Sequence, residues 1–167
     1  MTTADLLGDA FNRIADDASD IVTDLTPEQL AQRPNGRGNS IAWLIWHLTR
    51  VQDDHVSELA QLEQSWIDDH WHERFHLDLD RADTGFGHTS EQVSLVAADA
   101  SLLSGYLQDV TARTKLYLAS LGDADYPRII DEAWDPPVTL GVRLVSVVND
   151  ATQHVGQAAY VRGFLLS

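Results

Sequence analysis

Three residues of this chain have side chains that could together bind a divalent metal ion. Asp150 and His154 are four positions apart, so on a helix with 3.6 residues per turn they project from the same face. His47 lies about a hundred positions earlier, in an otherwise apolar run. Two imidazoles and one carboxylate can hold a metal on one side and leave its other positions open for chemistry. The pattern predicts a metal site inside a bundle of helices.

Each of these residues also has an ordinary structural interpretation. A single histidine in an apolar run is more often a core residue that is hydrogen-bonded to a neighbour. An Asp–His pair four positions apart can be a helix-surface pair worth a few tenths of a kcal/mol. The largely apolar segment 144–148 leads directly into the pair, however, and a carboxylate on an inner helix face is costly to bury without a cation or donor. The metal hypothesis requires the three side-chain heads to lie within roughly 6 Å of one another, since ligand bonds are about 2.1 Å long.

Further residues are candidates for contacts with a substrate or a thiol. Asp54 and His55 lie seven and eight positions after His47 on the same helix, near enough to line one cleft but too far to bind the same ion. His88 stands in a loop just before a helix N-terminus, a place that favours anions, and a helix cap is the alternative. Arg162 is suited to a bidentate contact with a substrate carboxylate, with pairing to a structural acid as an equal alternative.

The segment 68–89 is irregular, aromatic and rich in histidine. Within it, His70, His72 and His76 are candidates for a second metal site, and a solvated loop anchored by aromatic side chains is the alternative. Three tryptophans are candidates for shaping an apolar pocket beside the metal, with core packing as the alternative: Trp43, Trp46 and Trp134. Of these, Trp46 is also a candidate for contact with the thiol or the substrate.

Four segments with the helical period must position these side chains. They cover approximately residues 3–24, 40–66, 90–121 and 139 to nearly the C-terminus. A capping signal at 26–29 predicts one short turn of helix between the first two, and three prolines at 127, 136 and 137 mark the last connection. Apart from isolated short runs, the sequence does not show the alternation of apolar and polar residues that is typical of β-strands. The sequence therefore predicts an all-α four-helix bundle with a long crossover connection, as a single domain over residues 1–167.

The composition limits the classes of function. With 167 residues, 44% of them hydrophobic, the chain is large enough for one globular core. Its net charge of −15 and the lack of a dense Lys/Arg run argue against nucleic acid and anionic membranes as partners. No apolar run reaches the length of about 18 residues that a bilayer span needs, and residues 1–10 have no secretory-signal pattern, so we expect a cytoplasmic protein. The chain has no cysteine, so any thiol chemistry must use the thiol of a small molecule.

Three segments resemble a known family: WHLTRVQDD at 46–54, NDATQHVGQ at 149–157 and YVRG at 160–163. They are similar to the DinB superfamily, and within it to the branch of mycothiol-dependent maleylpyruvate isomerase and related actinobacterial proteins. The likeness covers nearly the whole chain through the order and lengths of its helices, while its specific motifs are short. Members are four-helix bundles with a long crossover that bind a divalent metal, usually through three histidines. The isomerase branch uses one histidine on the second helix and an acid-x-x-x-His pair on the last helix. The resemblance therefore implies His47, Asp150 and His154 as the ligands in this chain. The acid here is Asp, whereas Glu or His is commoner at this position in the family.

The resemblance implies a divalent ion, Zn²⁺ or alternatively Ni²⁺, and a thiol of low molecular mass such as mycothiol. The expected reaction is thiol S-transfer to a small electrophilic substrate, or a thiol-assisted isomerisation of that substrate. Two other functions remain open at this point: a metal-dependent hydrolase that activates water, and a non-catalytic metal-binding or stress-response bundle. No catalytic residue beyond the metal ligands is assigned. A homodimer is a further expectation, because bundles of this family often pair.

Overall fold

The bundle is the main feature of the computed structural model, which describes residues 1–166. In this part of the chain no helix is long and apolar enough to cross a bilayer. The elements in chain order are α1 (Thr3–Val22), α2 (Pro27–Ala31), α3 (Ile41–Ala60), α4 (Ser65–Asp68), α5 (Trp71–Phe75), α6 (Ser90–Leu95), α7 (Ala100–Ala119), β1 (Ile129–Asp131), β2 (Val138–Thr139) and α8 (Leu140–Leu165). A short 3₁₀ turn, Pro34–Gly36, lies between α2 and α3.

The four long helices, α1, α3, α7 and α8, are arranged so that α1 lies opposite α3 and α7 lies opposite α8. The helix α1 packs against α7 and α8, and α3 packs against the same two helices. The order around the bundle is therefore α1, α7, α3, α8. Crossing between opposite corners requires long connections, which the chain has between α1 and α3 and between α7 and α8. The predicted all-α four-helix bundle is confirmed.

The N-terminal half of the helix α3 is buried on every side. Ser40 caps its N-terminus by accepting a hydrogen bond from the Trp43 backbone, and every residue from 41 to 50 is buried. This burial agrees with a segment that is apolar on nearly every side. The helix ends at Ala60, earlier than the predicted 66, because Gln61 adopts the left-handed conformation that commonly terminates helices.

The third predicted helix is divided in two by an extended segment. Its first part, α6, ends at Leu95, and α7 begins only at Ala100 with Asp99 as its N-cap. The segment between them buries the side chains of Val96 and Ala98 in the core. The helical period continues through this segment without Gly or Pro, so the break comes from packing and not from local propensity.

Two further differences from the sequence prediction concern the connections. The segment 68–89 contains the one-turn helix α5, and α4 precedes it. The last connection forms a small antiparallel pair, in which Ile129 lies opposite Thr139 and Asp131 opposite Val138. Strands of three and two residues are too short to show the alternation by which sequence analysis recognises a sheet.

A buried ion pair connects α3 with its surroundings. Arg50 and Asp53 are 0% and 2% exposed, and Arg50 Nη1 lies 3.8 Å from Asp53 Oδ2. Arg50 Nη1 also donates to the hydroxyl of Tyr106 on α7, which in turn donates to Asp53 at 2.7 Å. The backbone N–H groups of Ser65 and Trp66 donate to the same carboxylate, which holds the start of α4 against α3. Burial raises the pKa of Tyr106 well above its usual value, so this phenol remains a hydrogen-bond donor.

Replacing Asp53 with Ala is expected to destabilise the protein strongly. The change would leave the Arg50 guanidinium buried without its counter-charge and the two α4 amides without an acceptor, which costs about 3–5 kcal/mol. Urea denaturation followed by circular dichroism measures this free energy of unfolding. Asp20→Ala, at an exposed position on α1, is the control and should change it by less than about 0.5 kcal/mol. A loss below about 1 kcal/mol for Asp53→Ala would contradict the structural role of the pair.

Candidate metal centre

Packing of α3 against α8 brings the three predicted ligands together. His47 lies on the inner side of α3, and Asp150 and His154 lie one turn apart on α8. One ligand atom from each of the three residues lies within 4.8 Å of the others. The Nε2 atom of His154 is 3.5 Å from Asp150 Oδ1, and the rings of His47 and His154 have centroids 4.9 Å apart. This is inside the limit of roughly 6 Å that the metal hypothesis requires.

The arrangement fits a divalent cation. The Oδ2 atom of Asp150 is buried and has no hydrogen-bond partner, a costly state for a carboxylate oxygen unless a cation or donor reaches it. In a tetrahedral site with bonds of about 2.1 Å, the ligand atoms would lie about 3.4 Å from one another. Side-chain movements of about an ångström would therefore bring the three ligand atoms to this separation. Two imidazoles and one carboxylate are donors that suit Zn²⁺ and also Ni²⁺.

Hydrogen bonds from the protein fix how each imidazole presents its free nitrogen. His47 Nδ1 donates to the backbone carbonyl of Thr84, so its lone pair is on Nε2. His154 Nδ1 lies 3.4 Å from the side-chain oxygen of Gln157, one turn further along α8. Such partners on the second ring nitrogen are typical of metal-bound histidines. Neither Thr84 nor Gln157 was predicted from the sequence. Only Gln157 had a recognisable signal, because a residue three positions after His154 lies next to it on a helix.

The electrostatic environment favours the protonation states that metal ligands need. Burial lowers the pKa of His47, while the hydrogen bond to Thr84 opposes the shift, so the neutral imidazole is favoured. The interaction with His154 lowers the pKa of Asp150 although burial raises it, so the carboxylate is ionised. Neutral imidazole and ionised carboxylate are the forms that bind a cation.

Trp43 packs against both imidazoles. Its ring is stacked on His47 with centroids 4.5 Å apart and meets His154 edge-on at 6.1 Å. Its Nε1 donates to His88 Nδ1 at 3.0 Å. Because an indole N–H can only donate, His88 Nδ1 accepts and His88 Nε2 has the proton, which it donates to Asp83 Oδ2 at 2.9 Å. His88 is therefore a bridge between Trp43 and the loop, and it is not free to bind an anion.

The loop 83–88 is held in place over His47 by this bridge and by backbone contacts. Arg50 Nε donates to the carbonyl of Asp83 at 3.1 Å, and the Asp83 carboxylate accepts from the Gly85 N–H at 2.7 Å. Burial would raise the pKa of Asp83, but the hydrogen bonds from Gly85 and His88 outweigh it and lower the pKa. A fixed loop places the Thr84 carbonyl where His47 can bind it.

Two other predicted contact residues are engaged away from the metal centre. Trp46 is 1% exposed and packs between His88 and Trp66, with ring centroids 5.9 and 6.2 Å away. Arg162 Nη1 donates to the carbonyls of Ile21 and Thr23 at the end of α1, at 2.6 and 2.8 Å. The Arg162 guanidinium thus binds the carbonyls at a helix C-terminus, where cations are favourable. Its partners are therefore backbone carbonyls and not the expected structural acid.

Asp54 and His55 line a cavity of about 480 Å³ beside the metal centre, as their spacing from His47 predicted. Asp54 Oδ1 accepts a hydrogen bond from Gln64 at 2.7 Å. His55 Nδ1 accepts from Arg143 at 3.2 Å, which leaves the proton on Nε2. His47 and Asp150 form the metal-side wall, and the apolar part of the wall is contributed by Val51, Phe86 and Val147.

His70, His72 and His76 form no close group of three metal-ligating side chains in the described residues, although His70 and His72 both lie near Glu73 Oε1, at 3.5 and 3.7 Å. His70 is 69% exposed, while His72 Nδ1 contacts the Trp66 carbonyl at 2.9 Å. Over residues 1–166, His47, Asp150 and His154 are the only group of three or more metal-ligating side chains this close together. The candidate pocket residue Trp134 is 66% exposed and does not line the cavity.

Comparison with known proteins gives the family. The sequence matches the mycothiol-S-transferase family over residues 6–165. The chain belongs to this family. The family is DinB-like, as the three sequence segments indicated. The structure is also similar to the crystal structure of a conserved protein from Enterococcus faecalis, with a TM-score of 0.93, 34% sequence identity, and coverage of 99% of this chain and 98% of the other. A search of curated proteins found no match.

Alanine at Gly85 is expected to be far more damaging than alanine at Gly87. Both glycines have positive φ, +90° and +73°, so either change strains the backbone by a similar amount, about 1 kcal/mol. Only at Gly85 would the new Cβ lie 2.8 Å from His47 Nδ1 and 2.9 Å from the Trp46 ring; at Gly87 nothing lies within 4 Å. We expect Gly85→Ala to lower the free energy of unfolding by about 1–3 kcal/mol more than Gly87→Ala, measured by urea denaturation. Equal losses of unfolding free energy in the two variants would contradict the close packing of the loop against His47.

Proposed function

We propose that this protein is a metal-dependent mycothiol S-transferase that joins the sulfur of the thiol to a small electrophilic carbon. Membership of the mycothiol-S-transferase family supports the class of reaction. The metal dependence is supported mainly by one observation, the convergence of His47, Asp150 and His154 ligand atoms within 4.8 Å beside a cavity of about 480 Å³. We infer a cytoplasmic enzyme that acts on small molecules; a homodimer stays a prediction.

Zn²⁺ is the proposed ion, and Ni²⁺ is the alternative with the same donors. Three protein ligands leave at least one coordination position for a thiol or water, whereas structural zinc sites usually have four protein ligands. The cavity includes His47 and Asp150 in its wall, so a small molecule reaching it would meet the open side of the ion. This favours an enzyme over a bundle in which the ion only stabilises the fold.

The chemistry divides between the ion and the protein. When bound, the ion would favour the thiolate over the thiol and thereby make sulfur a stronger nucleophile. Thr84 and Gln157 orient the two imidazoles, and Trp43 limits the movement of both rings. In S-transfer, the sulfur–carbon bond forms as a bond from that carbon to its leaving group breaks, the electron pair leaves with that group, and the thiol proton passes to water. A thiol-assisted isomerisation would instead add the sulfur to a carbon–carbon double bond conjugated with a carbonyl, whose electron pair moves onto the carbonyl oxygen; after rotation about the resulting single bond, the pair returns and the thiolate is expelled.

Replacing His154 with Ala is expected to remove the ion and the S-transfer activity together. The loss of one of three ligands leaves too few donors for tight binding, and truncation of a side chain that is only 16% exposed should lower the free energy of unfolding by about 1–3 kcal/mol. Elemental analysis of the purified protein, transfer assays and thermal denaturation check the three effects. Gln153→Ala, the exposed neighbour on α8, is the control and should retain both ion and activity. A His154→Ala protein with a full complement of metal would contradict the ligand assignment.

Addition of mycothiol to the Co²⁺-substituted protein is expected to change the visible absorption spectrum. A sulfur ligand adds an intense charge-transfer band and alters the d–d region, because thiolate is a far softer donor than water. The analogue with a hydroxyl in place of the thiol is the control and should leave the spectrum unchanged. A hydrolase that activates water has no need of the thiol. An unchanged spectrum at saturating mycothiol would therefore favour the hydrolase.

A further inference from the structure

The cavity beside the metal centre has an acidic wall. Two of its lining residues, Asp54 and Asp150, have carboxylates. Within the described part of the chain, no Lys or Arg side chain belongs to that wall. A site that binds a carboxylate or phosphate normally offers it Arg, Lys or a cluster of N–H groups. In the described residues, the wall of this cavity therefore has no positively charged side chain that could bind an anion.

The arginines close to the cavity are already paired. Arg143 lies behind His55, and its guanidinium is 3.3 Å from the Asp131 carboxylate and 3.9 Å from that of Glu58. Arg50 is fully buried in the network with Asp53. Because each of these charges has a counter-charge or is buried away from the cavity, none offsets the carboxylate of Asp54.

A count of charges around the reacting atoms gives the same result. A divalent ion has two positive charges, which the Asp150 carboxylate and a bound thiolate would balance. The carboxylate of Asp54 then remains in the wall without a matching positive charge. A second anion in the same cavity would be repelled, and like charges in close contact can cost several kcal/mol. The net charge of −15 adds to this repulsion at longer range.

The rest of the wall suits the apolar part of a molecule. Val51 and Val147 line the cavity from α3 and α8. Phe86 lines it from the loop 83–88, with 92% of its surface exposed. An exposed aromatic ring at the mouth of a cavity can stack on a flat apolar group and bury area that is otherwise in water.

We propose that the electrophilic substrate is an uncharged or cationic molecule with an apolar body, and that Asp54 makes the cavity reject electrophiles that bear a carboxylate or phosphate. This inference rests on the proposed function. It differs from the expectation that a substrate carboxylate binds Arg162, because that side chain holds the end of α1. Asp54 is thus a specificity-determining residue and not a metal ligand.

A matched pair of epoxides tests the inference with the metal-loaded protein and mycothiol. Styrene oxide is neutral, and 4-carboxystyrene oxide differs only by a carboxylate remote from the reacting carbons. In either reaction the sulfur–carbon bond forms, a carbon–oxygen bond breaks, and the freed oxygen receives a proton equivalent to the one the thiol loses. We expect kcat/KM, corrected for the uncatalysed reactivity, to be about tenfold higher for the neutral epoxide.

The variant Asp54→Asn should reduce that ratio by about threefold or more, because the amide keeps an oxygen that can accept from Gln64 but has no charge. Asp16→Asn, an exposed position on α1, makes the same change in net charge away from the cavity and should leave the ratio unchanged. A ratio near one in the unmodified protein, or equal effects of the two variants, would overturn the proposal.

Binding separates this inference from the proposed function. The binding of the inert diols obtained by hydrolysis of the two epoxides can be compared by saturation-transfer NMR with the metal-loaded protein and mycothiol, because the bound thiolate is part of the charge balance at the ion. Tighter binding of the neutral diol, with a difference that shrinks in Asp54→Asn, supports the charge selection even when neither epoxide is converted. Absence of conversion would then count against S-transfer alone. Equal or tighter binding of the carboxylate diol overturns the charge selection whatever the activity.

Discussion

The buried guanidinium of Arg50 is the interaction on which the site depends. A fully buried positive charge must have partners, and Arg50 finds them in four different parts of the chain: Asp53 on α3, Gln64 before α4, Tyr106 on α7 and the carbonyl of Asp83. The last contact fixes the start of the loop 83–88. That loop supplies the carbonyl that orients the candidate ligand His47, so a charge in the core and the geometry of the candidate metal centre are linked through a few hydrogen bonds.

Two layers of protein groups surround the three candidate ligands. The inner layer sets direction: Thr84 and Gln157 hold the imidazoles by their second nitrogens, and Trp43 packs on both rings. The outer layer sets position, because His88 connects Trp43 to the loop through Asp83. Such support is what allows two helices that contact each other through apolar side chains to hold three polar groups at a distance suited to one ion. The cavity beside the candidate site has His47 and Asp150 in its wall.

The bundle explains why the ligands come from the second and fourth long helices. These two helices, α3 and α8, are neighbours although the third long helix lies between them in sequence, since α1 and α3 occupy opposite corners. An acid and a histidine one turn apart on α8 then face the middle of α3. The same arrangement opens a cleft between α3 and α8 beyond the ligands. Its acidic and apolar wall is the basis of the charge selection that we propose.

The sequence by itself determined the features that depend on neighbours within about one helical turn. The helical periods, the N-caps, and the shared face of Asp150 and His154 are of this kind, and even the pairing with His47 could be inferred because few polar residues occupy core-like positions. Tertiary structure alone decided where α3 stops, why Val96–Asp99 is extended, and that Arg162 binds the end of α1. It also decided the role of the loop 83–88, whose contacts reach 37 positions to His47. Local propensity is encoded in adjacent residues, whereas a buried charge or a hydrogen bond to a distant carbonyl is decided by what the rest of the chain places beside it.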